Sequence, residues 1–280
     1  MKEIKASSIT DAIEYLCIQA CCYLGDDVRR LLEQAAQNPE ESPFGKDILH
    51  QLLENAQLAA HKEMPICQDT GMAVVFLEVG QEVHITGGDL TIAINEGVRR
   101  GYQKGSLRKS VLSPIDRINT KDNTPAVIHV EIVPGEHLKI TVAPKGFGSE
   151  NMSRLALLKP AEGLEGIQNF ILDTVTSAGA NPCPPVIVGV GIGGTMEKCA
   201  YLSKKALLRE AGAPHPDPQI AALESELLNT INKTGIGPQG LGGRCTALAV
   251  HIETYPTHIA GLPVAVNMQC HVARHKEMIL

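Results

Sequence analysis

Residues 181–194 read Asn-Pro-Cys-Pro-Pro-Val-Ile-Val-Gly-Val-Gly-Ile-Gly-Gly, and they predict the fold class more strongly than any other stretch. From Val186 onward this stretch is an uncharged run of β-branched residues and glycines, which is typical of a strand buried on both faces of a sheet. Helical patterns lie on both sides of the run, at 162–179 and 195–211. We therefore predict an α/β (mixed α+β) fold, in which mixed sheets are flanked by helices.

The glycines of this stretch follow the spacing Gly189-x-Gly191-x-x-Gly194, which is the outline of a dinucleotide-binding loop between a strand and a helix. The segments that follow are a helix, a proline-rich turn and another helix. We see there no second parallel strand that ends in an acidic residue. We therefore interpret these glycines as positions of close strand–helix packing or of an anion contact, rather than as a nicotinamide site.

The remaining patterns suggest a single domain over residues 1–280, with one or two lobes. A helical N-terminal region extends over about 1–62, and an α/β core extends over about 63–280. Two alternating segments, 126–133 and 137–144, flank a Pro-Gly-Glu turn and predict a β-hairpin.

The composition excludes several classes of protein. The chain has 280 residues, of which 44% are hydrophobic and 20% charged, and 25 basic against 31 acidic residues give a net charge of −6. These values exclude intrinsic disorder, and the mild acidity argues against nucleic acid as a partner. No apolar run reaches the roughly 18 residues of a membrane span, and the first residues do not resemble a signal peptide. We predict a soluble, cytoplasmic chain without a membrane partner.

Eight cysteines are unusual in such a chain, and they divide into two groups by context. Five stand in apolar helical or strand patterns and are predicted to be core thiols, because free cysteine packs as a small hydrophobic residue. These five are Cys17, Cys21, Cys22, Cys199 and Cys245. The other three, Cys67, Cys183 and Cys270, stand in loops beside proline or polar residues.

Three dispersed loop thiolates suit a [4Fe–4S] cluster held by three cysteines. One iron would then lack a protein ligand and could act as a Lewis acid on the hydroxyl and carboxylate of a substrate, which is the chemistry of a hydro-lyase. An alternative is a zinc or electron-transfer site formed by Cys270 with His271 and His275. The two histidines are four residues apart and could share a helix face.

Several long segments resemble, in order, the alpha subunit of class I (iron–sulfur) fumarate hydratases. The related L-tartrate dehydratase alpha subunits share much of this pattern. The resemblance covers the chain from about residue 10 onward. Its motifs are PICQDTGMAVVF, KSVL after Arg108, NTPAVIHVEIVPG, APKGFGSENMS, NPCPPVIVGVGIGG, GIGPQGLGG and the terminal cysteine.

The resemblance implies an iron–sulfur hydro-lyase domain of the alpha type and assigns roles to individual residues. Three cysteines would bind a [4Fe–4S] cluster with one open iron, and two residues, Asp69 and His258, would be catalytic, with Asp69 as the candidate acid. Substrate contacts would come from side chains and from one backbone N–H. The implied residues are Cys67, Cys183 and Cys270 for the metal, Asp69 and His258 for catalysis, and Gln68, Asp69, Arg108 and Gly148 for the substrate, with Lys145 as a further carboxylate contact.

The resemblance also implies a reaction and a partner. The reaction is the reversible hydration of fumarate to L-malate, a step of the tricarboxylic acid cycle; the alternative is the conversion of L-tartrate to oxaloacetate. In single-chain members a second domain follows this region, whereas this sequence ends ten residues after Cys270. We therefore expect a separate beta subunit that completes the active site and supplies the base, in an α2β2 heterotetramer.

Overall fold

The computed structural model describes residues 2–37 and 42–280, which divide into two compact units. The first unit contains the residues up to Leu24, Asn55–Gly146 and Arg274–Leu280; the second contains Gly25–Glu54 and Phe147–Ala273. Both combine helices with a mixed sheet, which confirms the predicted fold class. None of the helices in the described part of the chain is long and apolar enough to cross a membrane.

A short strand and three helices open the chain, and strands and helices are interspersed after them. The helices are α1 (Ala6–Cys22), α2 (Asp26–Gln37), α3 (Pro43–Lys62), α4 (Leu90–Lys104), α5 (Phe147–Glu150), α6 (Gly163–Ala178), α7 (Met196–Ala206) and α8 (Pro218–Asn232). The strands are β1 (Lys2–Lys5), β2 (Met72–Gly80), β3 (Val83–Thr86), β4 (Val127–Val133), β5 (Leu138–Lys145), β6 (Arg154–Leu158), β7 (Val186–Gly193), β8 (Ala247–Tyr255), β9 (Leu262–Gln269) and β10 (Lys276–Ile279).

The first unit is built on a four-stranded sheet in the order β10-β5-β2-β4, beside a small sheet of β1 and β3. Its core packs α1 and α4 against the strands. The two helices lie close together because Gly97 and Gly101 face α1: a Cβ on Gly97 would lie 2.7 Å from the carbonyl oxygen of Thr10. Because these glycines have no side chain, the backbones of α1 and α4 approach each other closely where the helices cross.

The predicted hairpin of 126–133 and 137–144 is wrong. The corresponding strands β4 and β5 are not neighbours, because β2 lies between them, parallel to β4 and antiparallel to β5. Strand β2 is buried along most of its length, so it takes the central position, whereas Ile132 of the edge strand β4 is 74% exposed. Burial of the most apolar strand therefore outweighs the local turn signal.

The second unit is built on a sheet in the order β6-β9-β7-β8, in which β7 is parallel to β8 and antiparallel to β9. Alternate residues of β7 point to opposite faces. Val186, Val188 and Val190 join the core with α6 and α8, and Gly189 and Gly191 face α7. A Cβ on either glycine would overlap a backbone carbonyl of α7, which confirms close strand–helix packing. Strand β8, which follows after two helices, is parallel to β7 and ends in Tyr255 rather than in an acidic residue.

Candidate active site

The loop of Cys67 in the first unit is held rigidly by buried polar groups. The Tyr102 hydroxyl donates to the carbonyl oxygens of Thr70 (2.8 Å) and Gly71 (3.2 Å). The side-chain amide of the buried Asn123 also donates to the Gly71 carbonyl, at 3.1 Å. Gly71 has a φ of 69°, and a Cβ there would overlap the backbone of Lys145. The loop therefore has one conformation that only glycine allows at this position.

Cys67 and Asp69 interact directly within this loop. The backbone N–H of Asp69 donates to the Cys67 sulfur at 3.4 Å, and Gly71 N–H donates to the Asp69 carboxylate at 3.1 Å. Cys67 and Asp69 are half-buried, and Gln68 between them is exposed. The loop thus presents a thiol and an oriented carboxylate side by side.

Arg108 lies beside the same loop. Its backbone N–H donates to the Thr70 hydroxyl oxygen at 2.9 Å, and that hydroxyl donates to the Arg108 carbonyl oxygen at 3.2 Å. The Arg108 side chain is exposed. The structure therefore brings Arg108 next to the segment Cys67–Asp69, which lies about forty residues earlier in the sequence.

Two buried cations border the loop. Lys145, at the end of β5, is 5% exposed and pairs with Met72 in the sheet. Arg274 is 4% exposed; its guanidinium donates to the carbonyl oxygens of Asp69 (2.6 Å) and Pro144 (3.3 Å). Burial raises the pKa of the nearby Cys21 thiol to about 12, although the positive charge of Arg274 opposes the rise. Sequence reasoning missed Arg274, because nothing in the segment VARH indicates that its arginine is buried.

Cys183 is exposed at the N-terminal end of β7 in the second unit, where its backbone has a φ of 56°. This left-handed conformation is uncommon for a residue with a side chain and is a feature that clusters at functional sites. Pro182 and Pro184 on either side are buried and fix the segment. The backbone therefore holds the Cys183 thiol outward at a defined place.

Cys270 lies at the same end of this sheet. It directly follows β9, whose last residue, Gln269, pairs with Ile187 near the start of β7. The next residue, His271, contacts the Cys183 carbonyl oxygen through Nδ1 at 3.0 Å. Gln239 approaches the same ring nitrogen at 3.2 Å and donates to the Pro184 carbonyl oxygen at 2.7 Å. The structure thus brings the segments of Cys183 and Cys270 together, with His271 and Gln239 as links that sequence reasoning did not assign.

Gly148 lies in the second unit, in the short helix α5. It is exposed, and a Cβ added to it would lie 3.7 Å from the carbonyl oxygen of Asn181, two residues before Cys183. Its neighbour Glu150 is bound by Lys204 at 2.6 Å and by the Asn267 amide at 3.2 Å, which anchors the helix. Gly148 is therefore close to the Cys183 segment.

His258 lies far from these residues within the second unit. It is exposed in the turn that joins β8 to β9, and its Nδ1 accepts a hydrogen bond from Ala260 N–H at 3.1 Å. This turn follows the end of β8 that pairs with Gly193, whereas Cys183 and Cys270 lie at the other end of β7. Eight strand residues separate the two ends by roughly 25 Å. The structure does not bring His258 together with these thiols, and its catalytic role stays a prediction.

The eight cysteines divide as predicted. Cys67 and Cys270 are half-buried and Cys183 is exposed, whereas the other five are buried. Three accessible thiols, one of which accepts an N–H hydrogen bond, form a donor set whose chemistry fits an iron–sulfur cluster. Cys67 belongs to the first unit and the other two to the second. No group of three or more His, Cys, Asp or Glu residues is placed to hold a metal ion within 2–37 and 42–280.

The zinc alternative loses its geometric basis. Residues 271–275 contain no helix, so His271 and His275 do not share a helix face. The Nδ1 atom of His271 is engaged by the Cys183 carbonyl oxygen. The arrangement that suggested a pair of neighbouring histidine ligands is therefore not present.

Comparisons with known proteins agree on one family. A family model described as fumarate hydratase (Fumerase) matches residues 10–279. A chain of Methanocaldococcus jannaschii, provisionally named L(+)-tartrate dehydratase subunit alpha, is 44% identical over 94% of both chains. The L(+)-tartrate dehydratase subunit alpha of Escherichia coli O157:H7 is 34% identical over 100% of this chain and 93% of its own length.

Proposed function

Because the chain belongs to the fumarate hydratase (Fumerase) family and is thus a hydro-lyase, we propose that it is the alpha subunit of a two-subunit enzyme that adds water to, or removes water from, a four-carbon dicarboxylate. The observation that carries this proposal is the rigid loop in which Cys67 and Asp69 lie side by side next to Arg108. A thiol ligand, a proton-transfer group and a carboxylate clamp are the parts that such a reaction requires.

A separate beta subunit would complete the active site. Relatives that match nearly the whole chain are named as alpha subunits, and this supports a partner chain. The base that handles the hydroxyl is expected on that partner. An α2β2 heterotetramer is the assembly we propose, with the dicarboxylate bound where the two kinds of subunit meet.

The cofactor we propose is a [4Fe–4S] cluster held by Cys67, Cys183 and Cys270. When bound, it would supply a Lewis-acid iron for the substrate's hydroxyl and one carboxylate. The support from this chain is the donor set: these thiols are accessible, and the other five are buried.

Asp69 is the group we propose for the proton bound to carbon. Hydration of fumarate adds a hydroxyl to one carbon and a proton to the next, so an acid is needed near the reacting double bond. The Asp69 carboxylate accepts a hydrogen bond from Gly71 N–H, and the backbone carbonyl oxygen of Asp69 accepts one from the Arg274 guanidinium. Such fixation would hold the carboxylate in one position beside a bound substrate, and proximity of this kind favours proton transfer.

The two carboxylates of the substrate require cationic and N–H partners. Arg108 is the proposed clamp for one of them, because a planar guanidinium binds a carboxylate through two hydrogen bonds. Gln68 is exposed beside Asp69 and would contact the substrate. Gly148 would donate through its backbone N–H, and Lys145 is a further proposed contact; the role of His258 as a second catalytic residue stays a prediction.

Fumarate and L-tartrate are the two candidate substrates. The family model and the motifs KGFGSENMS and NMQCHVARH favour fumarate, whereas the names of the relatives favour L-tartrate. Both reactions transfer water beside a carboxylate. The proposed beta subunit would contribute to substrate choice. Assays of the assembled complex therefore distinguish the two candidate substrates.

The test is anaerobic co-production of this chain with its beta chain, followed by assays of fumarate hydration and L-tartrate dehydration. We expect turnover of one substrate and almost none from the alpha chain alone. Asp69→Asn should lower kcat by roughly a hundredfold and keep its iron, because it removes a general acid. Cys183→Ser should lose the iron, with Cys199→Ser as the matched control that keeps it.

Two results would contradict this function. One is the absence of turnover of both substrates by the assembled, iron-loaded complex. The other is robust turnover by the alpha chain alone, which would mean that the site needs no beta subunit. Full iron content in Cys183→Ser would overturn the ligand assignment while leaving the reaction class standing.

A further inference from the structure

A short hairpin, residues 110–123, extends from the first unit next to Arg108. Leu112 and Asn119 form an antiparallel bridge. Ser113 N–H donates to the Ile118 carbonyl oxygen at 2.9 Å, and Arg117 N–H donates to the Ser113 carbonyl oxygen at 3.1 Å. These bonds close a tight tip over residues 113–118. The hairpin therefore has a defined backbone conformation that these hydrogen bonds stabilise.

The tip presents two large apolar side chains to solvent. Ile115 is 92% exposed and Ile118 is 65% exposed. A single exposed apolar residue needs no explanation, but two on one rigid turn form a knob that favours burial against another surface. Hydrogen bonds from Ser113 and from Ile118 N–H lower the pKa of Asp116, so the carboxylate of the tip is used to hold the turn itself.

The hairpin is basic only together with the two residues before it: residues 108–123 hold four basic and two acidic residues in an otherwise acidic chain. Lys109, Arg117 and Lys121 are exposed on or beside it, and none has a carboxylate partner in the part of the chain that the structure describes. The nearby acid Asp122 is bound by Arg99 at 2.9 Å. A chain with a net charge of −6 thus carries a local excess of positive charge beside Ile115 and Ile118.

The base of the hairpin is joined to the Cys67 loop. The Asn123 side-chain oxygen accepts hydrogen bonds from Ser110 N–H (2.7 Å) and Val111 N–H (3.1 Å), and its amide donates to Gly71. Seven residues separate Arg108 from Ile115, a span of at most about 25 Å. A protein seated on the tip would therefore lie beside the proposed substrate site.

We propose that the tip of this hairpin is the docking element for the beta subunit, with Ile115 and Ile118 inserted into an apolar depression whose carboxylate rim faces Arg117 and Lys121. The proposal rests on the proposed two-subunit function and deepens it. The exposed basic residues favour an acidic surface on the partner. The hydrogen bonds of Asn123 connect the hairpin to the Cys67 loop, which favours a partner that shares the active site.

The test uses the beta chain from the activity assay and measures its Kd and association rate with the alpha chain. Ile115→Ser/Ile118→Ser should raise Kd at least about tenfold, because central apolar anchors dominate binding. The matched control is Ile92→Ser/Ile132→Ser, two residues of the same unit that are 70% and 74% exposed, and it should stay within about twofold. Arg117→Glu should slow association and reduce its dependence on salt.

The outcomes separate this proposal from the function on which it rests. If wild-type alpha and beta chains do not associate, both proposals fail. If they associate and Ile115→Ser/Ile118→Ser binds as tightly as wild type, only the docking proposal fails. It also fails if the same variant converts an alpha dimer to a monomer in sedimentation, because the tip would then contact a second copy of this chain.

Discussion

At the scale of single residues, His251 shows how burial sets a charge state. It lies on β8 with 1% exposure, and its Nδ1 is 3.1 Å from the Ala206 carbonyl oxygen. A carbonyl only accepts, so Nδ1 carries the proton. No described residue provides a partner for its Nε2. Burial, reinforced by the positive charge of Arg209, lowers the pKa of His251 to about 4. The imidazole is therefore neutral in the folded protein at neutral pH.

This shift predicts a loss of stability in acid. In the unfolded chain His251 binds a proton with a pKa near 6.5, whereas the folded protein binds it only near pH 4. The unfolded state therefore gains protons first as the pH falls through this window. The free energy of unfolding should fall by up to about 3 kcal/mol between pH 6.5 and 4 through this group. Urea unfolding at a series of pH values measures it.

A matched pair of variants isolates the residue. His251→Gln should flatten the acid-side slope, because glutamine does not titrate, whereas His61→Gln changes an exposed histidine of α3 and should leave the slope as in wild type. An unchanged slope in His251→Gln would show that other groups cause the acid sensitivity.

At the scale of elements, the contact of β7 with α7 is made by glycines. Gly191→Ala would place a Cβ against the Cys199 carbonyl oxygen and 2.7 Å from Ser203 N, both in backbone that cannot rotate away. The helix must shift, and we expect a loss of roughly 2–3 kcal/mol in the free energy of unfolding. Thermal and urea unfolding report the loss.

Gly261→Ala is the control for this substitution. Gly261 lies in the same unit and its added Cβ would meet only ordinary contacts, at 3.8 Å or more. Its free energy of unfolding should change by less than about 0.5 kcal/mol. Equal effects of the two variants would contradict the prediction, because they would show that close packing against α7 does not cause the loss at Gly191.

The elements themselves could largely be predicted from sequence, because their signals are local. The strand that begins at Val186 and the helical patterns at 162–179 and 195–211 appear as β7, α6 and α7. Strand pairing could not be predicted, because it depends on which strand is most buried. The turn at Pro134-Gly135 therefore indicated a hairpin that β2 interrupts.

At the scale of the whole molecule, exposure divides the thiols into two chemical classes. Burial raises the pKa of Cys17, Cys21, Cys22 and Cys199, which suppresses their reactive thiolate form. In the folded, cluster-free chain, N-ethylmaleimide should label Cys183 first and Cys67 and Cys270 next. Peptide mass spectrometry should find the other five unlabelled until the protein is denatured. Labelling of Cys199 as fast as Cys183 would contradict this division.

The candidate site could be predicted only in part. Its three thiols could be recognised because a cysteine beside prolines or polar residues does not belong to the apolar pattern of a buried helix or strand. Arg274 and Tyr102 were not, because their importance comes from contacts with residues that are 205 and 32 positions away. His258 shows the opposite case, in which residues close in sequence lie far apart in the structure. It is twelve residues before Cys270, but strand β9 lies between them, so the two residues are at opposite ends of that strand.

Strand β10 has a consequence for synthesis on the ribosome. It forms the edge of the first sheet by pairing with β5, which is made about 130 residues earlier. At about 5–20 residues per second, translation leaves that side of β5 open for roughly 7–26 seconds. An open strand edge can pair with another nascent chain. Translation speed and chaperone supply therefore determine how much of this polypeptide reaches its native state.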